Sequence, residues 1–403
     1  MNHSMTTTSQ APAPTLTRAM VLLFAFCCGA IVANIYYAQP IVELIAPDLG
    51  LSPQSASLMV SLTQIGYALG LLFLVPLSDL VENRTLMIAT AIVAGASLLG
   101  AATMEHANGF LLVSLLIGFS SVSVQMLIPL AAHLAPEASR GKVVGNIMSG
   151  LLLGILLARP LSSLIADHFG WRAVFLCAAL VMLAIVAVLA MTIPRRIPQH
   201  QATYGQLLKS LVTLMARHAV LRQRALYQGL LFAAFSLFWT AVPVELARHH
   251  GLSQTQIAVF ALVGAIGALA APIAGRLADA GFTRRASLLS MFLAPVAFLL
   301  GLSEPGYSVV GLAITGVLLD FAVQMNMVLG QRAVYALDPA SRGRLNALYM
   351  TSIFVGGAVG SAVASSLFED YGWQGVILLG SALPLLALVM FVLYGTNRDA
   401  RHG

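Results

Sequence analysis

"GLSPQSASLMVSLTQIGYALG", residues 50–70, returns about two hundred residues later as "GLSQTQIAVFALVGAIGALAA", residues 251–271. Three further pairs keep that spacing, with small indels. "QPIVEL" (39–44) answers "VPVEL" (242–246), "EASRGK" (137–142) answers "PASRGR" (339–344), and "DHFGWRAVF" (167–175) answers "EDYGWQGVI" (369–377). Agreement in register at four places makes the chain a tandem duplication.

Each half is strongly apolar. Of 403 residues, 59% are hydrophobic and 9% charged, against about 25% charged in soluble domains. The class is therefore a polytopic membrane protein. A helix needs about 20 apolar residues to cross a bilayer, and twelve such runs can be marked. They cover 19–45, 54–78, 85–104, 108–133, 142–166, 172–193, 223–246, 254–276, 285–303, 306–332, 344–367 and 373–395. Backbone groups in lipid must be satisfied within the segment, so all twelve are expected to be helical. No ten-residue alternation suggests a β-barrel. The first run is too long for a signal-peptide core and reads as a retained span.

Eighteen of the 21 basic residues fall in the tails and the loops on one side; Arg172 and Arg248 lie opposite, and Arg159 lies within a span. The positive-inside rule then predicts that both termini are cytoplasmic, and the expected location is a bacterial inner membrane. The net charge of +6 is a topology signal, so nucleic acid is not an expected partner. Cys27, Cys28 and Cys177 lie in apolar runs without metal-site spacing. No cofactor, metal site or catalytic constellation is expected.

The expected organisation is a disordered tail (1–18), a six-helix bundle (19–193), a linker (194–222), a second bundle (223–395) and a short tail (396–403). In the linker, Leu207, Leu208, Leu211, Leu214 and Met215 follow helical spacing, which predicts an amphipathic helix on the inner leaflet. With an even number of spans per half, the bundles share one orientation and a pseudo-twofold along the membrane normal.

This organisation resembles the major facilitator superfamily. "GRLADAGFTRR" keeps Gly275, Asp279, Arg284 and Arg285 of the family's loop motif, with Ala280 in place of a basic residue and Gly281 one place early. "VPLSDLVENR" keeps Asp79 and Arg84, with Val75 in place of Gly. The resemblance implies a gating role for these six residues, through helix capping or pairing across the seam between halves. Span 5, "GILLARPLSS", is similar to the small-residue motif of drug:proton antiporters and to arabinose-efflux-like permeases, with Ala158 and Arg159 where that motif has Gly and Pro. Ser114 stands where those families carry an Arg on span 4.

Few ionisable groups lie deep. At 1.5 Å per residue, Asp320 is about 24 Å from Glu304 and about 18 Å from Arg332. A carboxylate there must face a polar cavity, pair, or carry a proton. Arg159 cannot lose its proton, and hydrocarbon costs it at least ~2.5 kcal/mol. The resemblance implies that spans 1, 4, 7 and 10 line a central cavity, and polar residues concentrate on those spans. The expected substrate-binding set is Asn34, Tyr37, Gln64, Ser121, Gln125, Gln228, Trp239 and Gln324, with Asp320 and Arg159 as a proton-coupling pair. Glu43 and Glu245 hold corresponding places at the outer ends of spans 1 and 7, and Trp171 and Trp373 are expected as interfacial anchors.

The expected function is a monomeric secondary transporter working by alternating access, exporting a small organic molecule or drug against protons. A sugar or metabolite facilitator without proton coupling is the alternative, and a transport-dead sensor a minor one.

Overall fold

The computed structural model describes residues 17–195, 203–267, 269–338 and 341–399. The remaining residues, which include most of both expected tails and part of the linker, lie outside it. Sixteen helices follow in order among the described residues. They are α1 (Arg18–Ala33), α2 (Val42–Asp48), α3 (Leu58–Leu77), α4 (Asn83–Thr103), α5 (Ala107–Ser120), α6 (Ser123–Leu134), α7 (Arg140–Phe169) and α8 (Trp171–Thr192). After these come α9 (Tyr204–Arg217), α10 (Ala219–Arg248), α11 (Gln254–Ala261), α12 (Gly264–Gly267), α13 (Ala270–Asp279), α14 (Thr283–Leu300), α15 (Val309–Tyr335) and α16 (Arg342–Asp399). The protein is all-α.

Ten segments among the described residues are long and apolar enough to span a membrane. The last, Arg342–Leu393, has 52 residues and would run about 78 Å if straight, more than twice a ~30 Å hydrocarbon core. It breaks at Gly372, where φ is 63°, and so makes two crossings. The first span is split into α1 and α2, which brings the crossings to twelve. The equivalent break in the first half is Gly170, φ 82°, between α7 and α8. Both breaks need a left-handed backbone that glycine alone adopts freely, which accounts for the repeated Gly-Trp of "FGW" and "YGW".

Helix starts follow local chemistry. Thr17 caps α1 by accepting from the Met20 amide at 3.3 Å. Thr203 with Gln206 and Ser253 with Gln256 form capping boxes at α9 and α11, each satisfying amides that a helix start otherwise leaves open.

Packing within each half rests on backbone proximity. A Cβ on Gly154 of α7 would overlap the Gly29 backbone of α1, and one on Gly356 of α16 would overlap Gly229 of α10. These are the same helix pair in the two repeats. Small residues let membrane helices approach and gain van der Waals contact. The two halves meet mainly where α3 packs on α16 and α7 on α11, while α6 and α13 pack within their own halves. Contact between halves is therefore concentrated at the end of the molecule away from α9. At the other end α9 touches both: Tyr204 donates to the Phe73 carbonyl at 2.8 Å, and Arg344 donates to Ser210 at 2.9 Å.

Candidate functional site

Three spans break near their middles. Span 1 turns at Asn34–Ala38 before a short 3-10 segment, Gln39–Ile41, with Pro40 at its start. Span 4 breaks at Ser121–Val122, and span 8 at Leu262–Val263 and again at Leu269. Interrupted helices at membrane depth are tolerated only where protein or a cavity covers the freed backbone. These breaks re-aim side chains that an uninterrupted helix would place elsewhere.

Arg159 lies in the middle of this region and is 4% exposed. Its Nε donates to Gln39 Oε1 at 2.8 Å. The guanidinium carbon sits 4.7 Å from the Trp239 ring centroid, 5.0 Å from that of Tyr36 and 5.4 Å from that of Phe235. A hydrogen bond to a charged group contributes about 1.5–3 kcal/mol, and a desolvated cation–π contact about 2 kcal/mol. Together these are comparable with the ~2.5–3.5 kcal/mol cost on the insertion scale. Nη2 remains buried and without a hydrogen-bond partner.

Asp320 is on α15 in the other half and is 6% exposed. The Trp239 indole N–H donates to its Oδ1 at 2.8 Å. A Cβ on Gly264 would lie 2.7 Å from Asp320 Oδ2, and one on Gly267 would overlap Asp320 Cβ, so α12 must be glycine where it passes the carboxylate. Arg159 and Asp320 both touch Trp239 but do not form a direct ion pair. Trp239 links them, with its ring under the cation and its N–H on the anion. Gln39 crosses the same seam, donating to Thr240 Oγ1 at 3.1 Å.

The other expected substrate residues divide. Gln64 crosses the seam to Ser236 Oγ at 2.9 Å, and its Oε1 is buried without a partner. Tyr37 is part-buried, and its carbonyl accepts from Ser162 Oγ at 2.6 Å. Asn34 turns instead toward Ser121 Oγ and Met182 Sδ, both at 3.4 Å, inside the first bundle. Gln125 donates to Tyr67 OH at 3.2 Å in that same bundle. Gln228 is held within the second bundle, donating to the Val323 carbonyl at 3.2 Å and accepting from Asn326 at 2.7 Å. Gln324 is part-buried on α15. The cluster thus gathers Arg159, Trp239 and Asp320, and adds Gln39, Tyr36, Phe235 and Thr240. Gln39 and Thr240 could be read from the sequence as polar residues on spans 1 and 7; the two aromatic rings carried no signal that set them apart from ordinary core.

The end away from α9 is closed by polar contacts between halves. Arg248 pairs across the halves with Glu43 at 2.7 Å and, within its own half, with Glu369 at 2.6 Å. Ser57 and Ser365 exchange amide-to-hydroxyl bonds at 3.1 and 3.2 Å. Thr255 donates to Asp167 at 2.5 Å. Glu43 and Glu245 are equivalent in sequence but differ in surroundings. Glu245 is fully buried within its own half, against His249 Nδ1 at 2.9 Å and the Tyr307 hydroxyl. Trp171 and Trp373, expected as lipid-interface anchors, are instead packed inside their bundles at 5% and 7% exposure. Trp171 donates to Asp48 at 2.9 Å, whereas Trp373 Nε1 is buried without a partner. The Asp48 carboxyl, at the end of α2, is held below the usual carboxylate range, first by the Trp171 bond and then by Arg172.

At the α9 end, Asp279 pairs with Arg332, whose Nη1 also donates to the Gly275 carbonyl at 2.9 Å. Both contacts stay within the second half. Arg84 donates to the Ala190 carbonyl within the first half. Arg285 lies 5.6 Å from the Phe282 ring centroid. Asp79 sits part-buried in the turn after α3, and Arg284 opens α14. No group of three or more His, Cys, Asp or Glu residues that could hold a metal occurs among the described residues.

The sequence model described as Major Facilitator Superfamily matches residues 21–237 and 224–403, one match per half. The chain is 40% identical over 384 residues to "Uncharacterized transporter YgaY" of Escherichia coli O157:H7, covering 93% of this chain and 95% of that one. It is 32% identical over 383 residues to "Probable transporter SCO4007" of Streptomyces coelicolor, covering 94% and 88%. A crystal structure of a mutant nucleoside transporter, NupG, superposes with a TM-score of 0.74 at 14% identity, covering 93% of this chain and 99% of that one. That likeness is one of fold. The duplicated halves, the twelve crossings and the close relatives lead to one conclusion: the chain is a multi-pass membrane protein and belongs to the major facilitator superfamily.

Proposed function

We propose that this protein is a secondary transporter of a small organic molecule, working by alternating access and coupled to protons at Asp320. The carrying observation is the buried chain Arg159–Trp239–Asp320, which joins a cation on one half to an anion on the other. The two six-helix bundles, 19–193 and 223–395, are the bodies that rock, and both termini face the cytoplasm of a bacterial inner membrane.

The chemistry of the chain supplies the coupling. When Asp320 is ionised, it draws the indole N–H and polarises the ring, which strengthens the hold on the guanidinium. The seam then stays shut at the end away from α9. A proton on Asp320 removes the negative charge, weakens both links, and favours separation of the halves there. A proton shifts the equilibrium only by its different affinity for the two states, and the seam provides that difference. A cationic cargo would compete with the proton and be exchanged against it, the export expected of drug:proton antiporters. An anionic cargo would accompany it.

The test is transport in proteoliposomes. Asp320→Asn is expected to abolish accumulation driven by a pH gradient while leaving substrate counterflow. Retention of both activities removes Asp320 from the mechanism. Equilibration of substrate with no accumulation under a pH gradient in the parent protein favours an uncoupled facilitator.

A further inference from the structure

We infer that the cargo of the central site is a small organic carboxylate and that it binds together with a proton. The inference rests on the transport reading above and names the substrate class of that same site.

Two opposite charges in one site leave the sign of the ligand open until hydrogen bonding is counted. Asp320 already receives the Trp239 N–H. Arg159, a permanent cation, has an acceptor in the protein for Nε alone among the described residues, at Gln39, and its Nη2 is buried with none. An unsatisfied donor of a buried charged group is costly, so the partner that completes this site is an acceptor. The surrounding rings of Tyr36, Phe235 and Trp239 are the surface an organic cation would use, and the guanidinium already lies against all three. A carboxylate matches the guanidinium fork with two parallel N–H···O bonds.

The position of Asp320 sets the stoichiometry. The cation that shares Trp239 with it is Arg159 of α7. Within its own half, Trp239 of α10 donates to it, and α12 passes it with Gly264 and Gly267. Tyr36 is the further titratable group beside Arg159. A carboxylate seated on Arg159 adds a second anion to the cluster without adding a cation. Two nearby carboxylates sharing one cation are relieved when one of them holds a proton. Cargo and proton therefore bind as a pair and move in the same direction, the reverse of the exchange implied by the drug:proton resemblance.

The experiment uses the full-length protein purified in detergent, with thermal stabilisation and calorimetry as readouts. The probes are benzoate and glutarate, each beside its uncharged amide, and benzylammonium, at mildly acid and mildly alkaline pH. A carboxylate is expected to bind at least about tenfold tighter than its amide, and tighter in acid. Arg159→Gln should abolish the discrimination. Arg159→Lys, which keeps the charge but not the fork, should weaken carboxylate binding about tenfold. Asp320→Asn should keep carboxylate binding and lose its pH dependence. Failure of both carboxylates to bind, preference for an amide or for benzylammonium, or carboxylate binding unchanged in Arg159→Gln overturns the inference. Carboxylate binding that is indifferent to pH leaves the substrate class standing and overturns the joint binding of the proton.

Discussion

Trp239 donates its indole N–H to Asp320 at 2.8 Å while its ring centroid lies 4.7 Å from the Arg159 guanidinium carbon. One side chain therefore touches both buried charges, and it belongs to the same half as the anion. The boundary between the halves runs between the ring and the cation. A change in the charge of Asp320 is felt across that boundary without any direct contact between acid and base.

Replacing Trp239 separates its two roles. Trp239→Phe keeps an aromatic face and removes the donor, so gradient-driven transport should fall by about 10–100-fold, the equivalent of one hydrogen bond to a charged group. Trp239→Leu removes the face as well and should be more severe. Initial rates in proteoliposomes decide the matter. A Phe variant within twofold of the parent would show that the N–H contact is incidental.

Gln39 accepts from Arg159 and donates to Thr240, so Gln39→Leu strands a buried N–H on a permanent charge. The expected destabilisation is about 1–3 kcal/mol or more, read as a lower Tm of the purified protein. Gln39→Glu should act in the opposite sense, pairing directly with Arg159, raising Tm and slowing transport. An unchanged Tm in both variants would argue that Arg159 does not depend on this residue.

Much of this was legible in the sequence, and the losses have a common cause. Hydropathy and the repeat lead to twelve crossings, and Arg159, Asp320 and Trp239, which the sequence marks within its spans, are brought together by the structure. The faces of spans 1 and 4 were harder, because helical spacing stops being a guide at a break. The turn after Ala33 and the break at Ser121 send Asn34, Ser121 and Gln125 into their own bundle. Gln39, beyond the first of those breaks, points at Arg159. The repeat also overstates likeness: Glu43 and Glu245 correspond in sequence, yet one bridges the halves and the other is sealed inside one. The side chains that decide this, Arg248 and Tyr307, lie in different positions of the repeat. No pattern along one helix reports the indole link between acid and base, since it depends on how two helices are rotated against each other.

The Arg248 clasp should be a modest contributor. Its side chain is 36% exposed, with Glu43 and Glu369 at 27% and 22%, so screening limits each pair to about 1 kcal/mol or less. Arg248→Ala is expected to open that end several-fold more often. Ala364, buried beside Glu43 and Glu369, can report it: an Ala364→Cys thiol should react several-fold faster with a maleimide in the Arg248→Ala background. Equal labelling rates would mean that other contacts hold that end.

Glycine contacts within each half supply rigidity. Gly154→Val should destabilise by about 1–3 kcal/mol or more, as overpacking does, because its first side-chain atom meets the Gly29 backbone. Gly141, with nothing within 4 Å of a built Cβ, should accept the same change in Tm measurements within error. Comparable Tm values for the two variants would contradict the packing described for α1 and α7.

The most direct test of the account needs no substrate. Spin labels at exposed Gln54 and Asp370, introduced as Gln54→Cys and Asp370→Cys with Cys177 removed, report the distance between halves at the closed end. Pulsed electron–electron measurements across pH should show the short distance giving way to a longer one as acid neutralises Asp320. Asp320→Asn should show the longer population at every pH. A pH response that survives unchanged in Asp320→Asn would contradict the claim that this carboxylate holds the seam.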